Sequence, residues 1–389
     1  MQDEITNRLI EEVIGWRRHF HTYPELSFEE FDTAEFIASQ LSEMGYQVET
    51  KVGGTGVVGT LKSDLPGKVI AFRADMDALP MMEETDLPYA SVRTGIMHAC
   101  GHDCHMAIAL GLAKVLSLGR DRWKGTVKFV FQPGEEANGG ARCVISSGAL
   151  DDVDAIFALH MMPDLPTGTI GIKEGYLSAT DDEFVIKVKG RGAHSSEAYH
   201  GVNAILVASH INVGLQSIFS SALSPHDVAT FSVCTIKGGD AINVIPDNVE
   251  MTGMLRCIKE EDKLALRSKM EKIVENTAAA YGGTAEIDFI QGFPAVNNDP
   301  ALTKVLEEAG AAVLDDAENI ITIPRPHMGS EDFSYYQEKM PGTIFMLGCH
   351  GEDTGDHPLH SPHLVIDEES LQYGVKVFAQ VVEILNGVQ

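Results

Sequence analysis

The chain has 389 residues, 44% hydrophobic and 22% charged, which is long enough for two domains and excludes a largely disordered protein. Its 57 acidic residues against 29 basic ones give a formal net charge of -28, a surface that repels phosphate backbones and anionic lipids and so disfavours nucleic acid and membrane surfaces as partners. The 6 cysteines lack paired CxxC spacing, which argues against a disulfide framework or a zinc ribbon and leaves most as free thiols.

The N-terminus carries Asp3, Glu4, Glu11 and Glu12 where a secretory signal needs a basic end and an apolar core, and no apolar run approaches the roughly 18 residues of a membrane helix. A cytoplasmic protein is therefore expected. The pattern predicts a helix over 5–19 and another over 28–44, with Gly45 as its C-terminal stop. Val69 to Phe72 reads as a buried strand running into Arg73, Asp75 and Asp77. Behind His102, the spacing of Ile108, Leu112, Val115 and Leu116 predicts a helix that puts Cys100 and His102 at its entrance. Val127 to Phe131 leads into Gln132, Pro133, Gly134, Glu135 and Glu136, and Ala155 to Leu159 leads into His160. Helices alternating with apolar strands predict an α/β domain with a mostly parallel, helix-covered sheet.

From about Ala179 the order changes to strand (183–189), helix (202–219), strand (229–237), strand (249–257), helix (260–281) and strand (284–290). This βαββαβ order is the ferredoxin-like unit. The expected organisation is a catalytic domain of residues 1–179 and 292–389, into which 180–291 is inserted. After the insertion come a helix, a strand over 343–347 and a terminal helix.

In an open α/β sheet the ligand crevice lies beyond the carboxyl ends of the strands, so the acidic and imidazole groups are expected to converge there. Cys100 and His102 can serve one metal from a single turn, and thiolate beside imidazole suits zinc, manganese, cobalt or nickel. The bland alternative is an inert buried thiol and a capping imidazole. Glu135 and Glu136 directly after a buried strand are costly to bury unless they bind metal or protonate; one can ligate while the other moves protons. As an ordinary solvated pair they carry no function. His160 and His360 taken singly read as surface or satisfied core residues. With Cys100, His102 and Glu136 they form a ligand set large enough for two metals if one group bridges.

The same residues carry a family resemblance. Arg17, Arg18 and His21 with Pro24 to Leu26, Arg73 to Pro80, Met97 to Asp103, Phe131 to Glu136, Asn243 to Pro246, Gly329 to Phe333 and Leu359 to Pro362 follow one another along the whole chain. In this the chain resembles peptidase family M20, the aminoacylase and carboxypeptidase family of dinuclear metallopeptidases. The likeness is to the amidohydrolase branch of hippurate hydrolases, IAA-amino acid hydrolases and N-acetyldiaminopimelate deacetylases.

The resemblance implies that Cys100, His102, Glu136, His160 and His360 ligate two divalent ions per subunit, manganese or zinc foremost and cobalt or nickel as alternatives. Cys100 takes the place of a bridging Asp found in other branches. Glu135 falls on the general base and Asp77 on a carboxylate that orients ligands. Asp75 stands where other branches have a ligand His, a vacancy that His102 fills. The implied reaction is hydrolysis of the amide of an N-acyl amino acid: Glu135 takes a proton from metal-bound water, the hydroxide attacks the carbonyl, and the proton passes to the leaving amine. His194 falls on an oxyanion donor that reaches across from the partner subunit in relatives. Arg256 matches the anchor for the substrate carboxylate and Asn243 a substrate contact. The inserted domain is then a lid and the surface of a homodimer. Without the resemblance, His194 reads as a solvated loop residue, Arg256 as a surface salt bridge and Asn243 as an ordinary turn.

Gly134 departs from the family, which usually has Ala there, and is expected to alter only turn flexibility. Ala198 and Tyr199 replace a Pro and a polar residue common in relatives. His19, His21, His98, His105 and His350 are read as structural, with His98 and His105 close enough to support ligands. The alternatives are a dipeptidase or carboxypeptidase of the same family, a catalytically silent metal-binding or ligand-binding dimer, and a hydrolase with Cys100 as nucleophile and His102 as base. The intact Glu135 and ligand set argue against the silent form. Adjacent placement on one turn is poor geometry for a Cys/His pair.

Overall fold

The computed structural model describes residues 1–389 apart from 138, 222, 225, 315, 353 and 389. The chain forms two compact units, one of residues 1–175, 297–324 and 332–389, the other of 176–296 and 325–331. The segment 325–331 joins the second unit through Ala179 N to Gly329 O and His327 N to Leu177 O, both 3.0 Å, a long-range attachment that nothing in the local sequence announces.

The first unit opens with α1 (Asn7–Thr22), whose N-cap Thr6 accepts a hydrogen bond from Leu9 N and whose buried stripe is Leu9, Val13, Trp16 and Phe20. Next come α2 (Phe31–Glu43), the strands β1 (Gln47–Val52), β2 (Gly56–Lys62) and β3 (Val69–Asp75), and α3 (His102–Leu118). β4 (Thr126–Gln132), α4 (Gly140–Ser146), β5 (Ala155–Pro166) and β6 (Ile170–Ile172) complete this half. The second unit contains β7 (Thr180–Lys189), β8 (Ala193–His194), α5 (Ala204–Gln216), β9 (Ala229–Lys237), β10 (Val244–Ile245), β11 (Asn248–Cys257), α6 (Glu260–Ala280) and β12 (Thr284–Gln291). The chain returns to the first unit with α7 (Pro300–Val313), β13 (Ile320–Thr322), β14 (Gly342–His350) and α8 (Ser370–Asn386).

The first unit is built on an 8-stranded sheet of order β1-β2-β4-β3-β5-β14-β6-β13. Its centre, β4-β3-β5-β14, is parallel, so its strands point their carboxyl ends to one edge. Register sets the site there: Asp75 lies opposite Gln132, and Arg73 lies opposite Ala158, which brings His160 level with Asp75. His160 does not end its strand as the sequence suggested. β5 continues to Pro166 because β14 keeps pairing with it, Met346 opposite His160 and Gly348 opposite Met162. The core is aromatic at its centre, with Phe72 stacked on Phe129 and on Phe157 at 5.8 Å and meeting Phe378 edge-on at 4.8 Å. α3 is buried almost all round, with Ile108, Leu112, Val115 and Leu116 fully covered, and it packs between α1, α8 and β3.

The second unit is a 4-stranded sheet of order β9-β11-β7-β12 with antiparallel neighbours throughout. Phe184, Ile186 and Val188 of β7 pack with Val207, Ile211 and Leu215 of α5 and with Leu266, Met270 and Val274 of α6. The elements follow βαββαβ order.

Candidate metal centre

The site begins at Gly101, which caps α3 with φ +91° and whose added Cβ would lie 2.9 Å from Met161 Cγ. This turn places Cys100 before the helix and His102 as its first residue. His102 Nδ1 lies 2.8 Å from the Asp77 carbonyl, an acceptor, so Nδ1 holds a proton and in the neutral ring Nε2 keeps its lone pair. Nε2 is buried and makes no hydrogen bond among the described residues. His160 is arranged the same way, with Nδ1 2.9 Å from the Met161 carbonyl and Nε2 3.5 Å from Cys100 Sγ.

Two triads result, Cys100 with His102 and His160, and Cys100 with Glu136 and His360, each with ligand atoms within 4.8 Å of one another. His360 Nε2 lies 3.1 Å from Glu136 Oε1. His360 itself holds φ +64°, fixed by its backbone N donating to Ala99 O at 2.7 Å. That conformation costs a non-glycine residue about 1–2 kcal/mol, and such strain gathers at functional sites.

These residues fit a pair of divalent ions. A buried imidazole lone pair without a partner is costly, and burial pushes the Cys100 thiol well above its usual range, so a thiolate at this depth needs positive charge beside it. Divalent ions held by Cys100, His102, Glu136, His160 and His360 would meet both demands.

Asp77 works at both ends. Its carbonyl orients His102, while its carboxylate accepts from Glu135 N at 3.1 Å, Glu136 N at 3.0 Å and the Ser27 hydroxyl at 2.6 Å. Hydrogen bonds from His102, Ser27 and the Glu136 amide outweigh burial and keep its pKa lowered. Glu135 is buried, and it groups with His102 and Glu136 within the same 4.8 Å limit. Gly134 does more than loosen the turn: it sits at φ +60°, and a Cβ would lie 2.5 Å from Phe28 Cε2, so the Phe28 ring fills the space an alanine would need.

Asp75 has both oxygens engaged, Oδ1 with His105 Nδ1 at 2.6 Å and Oδ2 with Arg73 Nη1 at 2.6 Å. Burial opposes its charge, but Arg73, His102 and His105 hold its pKa well below the usual carboxylate range. His105 Nε2 in turn accepts from Met161 N at 3.0 Å, so His105 supports the strand that bears His160. His98 is buried with no hydrogen bond at either ring nitrogen among the described residues, and burial lowers its pKa to about 3.

Sequence reasoning missed a buried network beneath the site. Asp332 accepts from Arg73 Nη2 at 2.7 Å, from Gln132 Nε2 at 2.8 Å and from Ala141 N at 2.9 Å. Arg73 Nε also donates to Gln132 Oε1 at 2.9 Å. Glu135 and Glu136 therefore sit in a loop clamped at both ends, at Gln132 and at Ala141. An arginine inside the strand Val69–Asp75 was the available signal, because a buried guanidinium requires a carboxylate partner.

The remaining predicted residues lie in the second unit. His194 Nδ1 accepts from Ser196 N at 3.2 Å, so in the neutral ring Nε2 carries the proton and is a donor. Asn243 is tied to the same place, its carbonyl accepting from Ser195 N at 2.9 Å and its neighbour Val244 pairing with His194. Arg256 Nη1 donates to Met328 O at 2.9 Å, and Arg256 pairs in register with Asp181. His194 and Asn243 belong to the separate two-stranded pairing of β8 with β10, whereas Arg256 lies near the end of β11 in the 4-stranded sheet, after about 26 Å of extended strand from Asn248.

Among the described residues no helix is long and apolar enough to cross a membrane. The family model for peptidase family M20/M25/M40 matches residues 71–384. The chain is 40% identical over 363 residues to N-acetyl-L-cysteine deacetylase of Bacillus subtilis, covering 93% of this chain and 85% of that protein. It is 36% identical over 382 residues to IAA-amino acid hydrolase ILR1-like 4 of Arabidopsis thaliana, covering 96% and 86%. Its fold matches the crystal structure of the Bacillus subtilis YXEP protein, described as a dinuclear metal binding peptidase from the M20 family, with TM-score 0.86, 38% identity, and 98% and 99% of the two chains covered. Triads able to hold metal ions and these likenesses agree: the chain belongs to peptidase family M20/M25/M40 and is a metal-dependent hydrolase of C–N bonds.

Proposed function

We propose that this enzyme removes the acyl group from small N-acyl amino acids, working as a cytoplasmic homodimer with manganese or zinc, for which cobalt or nickel can substitute. The observation that carries the reading is the pair of triads sharing Cys100, with the buried Glu135 held beside them through Asp77. Relatives named for N-acetyl-L-cysteine and IAA-amino acids support the substrate class.

Bound divalent ions supply Lewis acidity, making water a nucleophile near neutral pH and polarising the amide carbonyl. Glu135 takes the attacking water's proton and delivers it to the leaving amine. His194 Nε2–H donates to the oxyanion, Asn243 contacts the substrate, and Arg256 pairs with its carboxylate through a planar fork. Between the β8–β10 pairing that carries His194 and Asn243 and the position of Arg256, β11 runs about 26 Å, longer than a small amino-acid conjugate, which supports their arrival from different subunits. Exposed apolar side chains on α5 (Ile205, Leu206 and Val213) and around β9 and β10 (Ile236, Ile242 and Val244) support an interface in this unit.

The test is a hydrolysis screen of N-acyl amino acids with enzyme loaded separately with zinc, manganese, cobalt and nickel. Glu135→Gln should retain metal and lose about 10²–10⁴ in kcat; full activity in that variant sinks the assignment. Mixing inactive His194→Ala and Arg256→Ala proteins should restore about a quarter of wild-type activity, since half the dimers regain one intact site of two. No recovery after subunit exchange argues against sharing across the dimer.

A further inference from the structure

Beside the metal centre in the first unit lies a second buried cluster that the chemistry above does not use. His21, in the last turn of α1, is 1% exposed and stands between two carboxylates, Nδ1 2.8 Å from Asp103 Oδ2 and Nε2 3.1 Å from Glu83 Oε1. A ring that donates to two carboxylates carries both protons. Arg17, also buried, reaches Asp103 through Nε at 2.9 Å and Glu368 through Nη1 at 3.3 Å, and Arg18 pairs with Glu368 at 2.5 Å. Tyr89 closes one side, its ring 5.0 Å from Arg17, 4.8 Å from Arg18 and 5.8 Å from His21, and His98 lies near enough to Asp103 and His21 to feel their charge. Three cations, Arg17, Arg18 and His21, thus face three carboxylates, Asp103, Glu83 and Glu368. Burial and Arg17 oppose the charge on His21, but its bonds to Asp103 and Glu83 outweigh them and raise its pKa.

Each carboxylate that His21 holds belongs to a segment carrying metal ligands or bonded to one. Asp103 follows His102 in the first turn of α3. Glu83 accepts from Ser91 N at 2.7 Å and from the Thr85 hydroxyl, and its neighbour Glu84 is bonded to the His360 loop at two points: Glu84 N donates to Pro362 O at 2.8 Å, and the Glu84 carbonyl lies 3.0 Å from His363 Nδ1. The segment 83–92 that bears Glu83 and Glu84 is also tied to the end of α1, by Val92 N to Thr22 O at 3.0 Å and by the Thr22 hydroxyl to Tyr89 O at 3.1 Å.

We propose that His21 is a positioning residue for the metal centre: by clamping Asp103 to Glu83 it works with the bond from His360 N to Ala99 O to fix the distance between the helix entrance that bears Cys100 and His102 and the loop that bears His360. A buried ion network is a poor stabiliser, because desolvation offsets its Coulomb attraction, whereas a doubly bonded imidazolium fixes geometry. A gap between Cys100 and His360 falls on the Cys100, Glu136, His360 triad and leaves the Cys100, His102, His160 triad, built from α3 and β5, intact.

The inference rests on the ligand assignment above, so the experiment checks both. Full-length holoenzyme is equilibrated against a graded zinc buffer and its metal content measured, giving one loading step per site. His360→Ala identifies the step that belongs to the Glu136 and His360 triad; if both steps survive in that variant, it is the ligand assignment that has failed. In His21→Gln the same step should move to at least about tenfold higher free zinc, the size typical of residues supporting a ligand, while the other moves less than about threefold. Should His21→Gln fail to fold, Glu83→Gln, which removes the other end of the clamp, should shift the same step. A variant that melts earlier with both steps unmoved, or one that shifts both equally, overturns the proposal, since a merely structural role has no preference between the sites.

Discussion

Asp332→Asn is the most demanding test of the buried network, because it changes one oxygen to a nitrogen at constant volume. Asp332 is fully buried and accepts from Arg73, Gln132 and Ala141 N at 2.7–2.9 Å. The carboxamide removes the charge opposite Arg73 and turns a donor toward groups that are themselves donors. Breaking a buried pair from one side costs about 3–5 kcal/mol, the Asp75 carboxylate on Nη1 being insufficient to replace it. At roughly 2–4 °C per kcal/mol for a domain of this size, the melting temperature should fall by at least about 6 °C in a thermal scan of the zinc-loaded protein. Because Ala141 lies in the first turn of α4 and Gln132 ends β4, the Glu135 loop loses both anchors, so kcat should fall more than metal content. A variant melting within about 2 °C of wild type, or one with unchanged kcat, would refute the view that Asp332 holds the loop.

Other outcomes follow from single contacts. Gly134→Ala should destabilise by about 1–2 kcal/mol from its φ of +60° alone, and its effect should shrink in a Phe28→Ala background, which empties the space the new Cβ needs; equal penalties in both backgrounds would count against the packing account. For His21, whose folded pKa is raised, the stabilisation is fully present below the unfolded value near 6.5 and is lost as pH rises through the folded value. The melting temperature of metal-free wild type should therefore decline from neutral to alkaline pH more steeply than that of His21→Gln, and parallel curves would contradict the assignment. Phe72→Ala should cost about 3–5 kcal/mol in a denaturant titration, because the ring is fully buried among three other phenylalanines.

Much of the site was legible because the chemistry sits in short local patterns. Cys100 and His102 are joined by one glycine, Glu135 and Glu136 follow a strand directly, and the strands themselves are continuous apolar runs, as parallel sheets buried on both faces require. The order of helices and strands, and the change of pattern near Ala179, were open to periodicity for the same reason. What periodicity cannot report is which side chain a buried polar group meets. Asp75 stood where other branches have a ligand His, yet register sets it between Arg73 and His105, and the second carboxylate on that arginine, Asp332, comes from far along the chain.

The sequence by itself determined the donor types, their local spacing and the alternation that builds the two sheets, because these depend on side-chain chemistry and on the repeat of helix and strand. Tertiary structure alone decided that Cys100 is shared by two triads, that Asp77 serves His102 with its carbonyl and Glu135 with its carboxylate, and that His194 and Asn243 meet beside the β8–β10 pairing while Arg256 pairs with Asp181 in the other sheet of that unit. Those are relations between segments, set by strand order, register and the requirement that every buried charge find its partner, and no local pattern carries them.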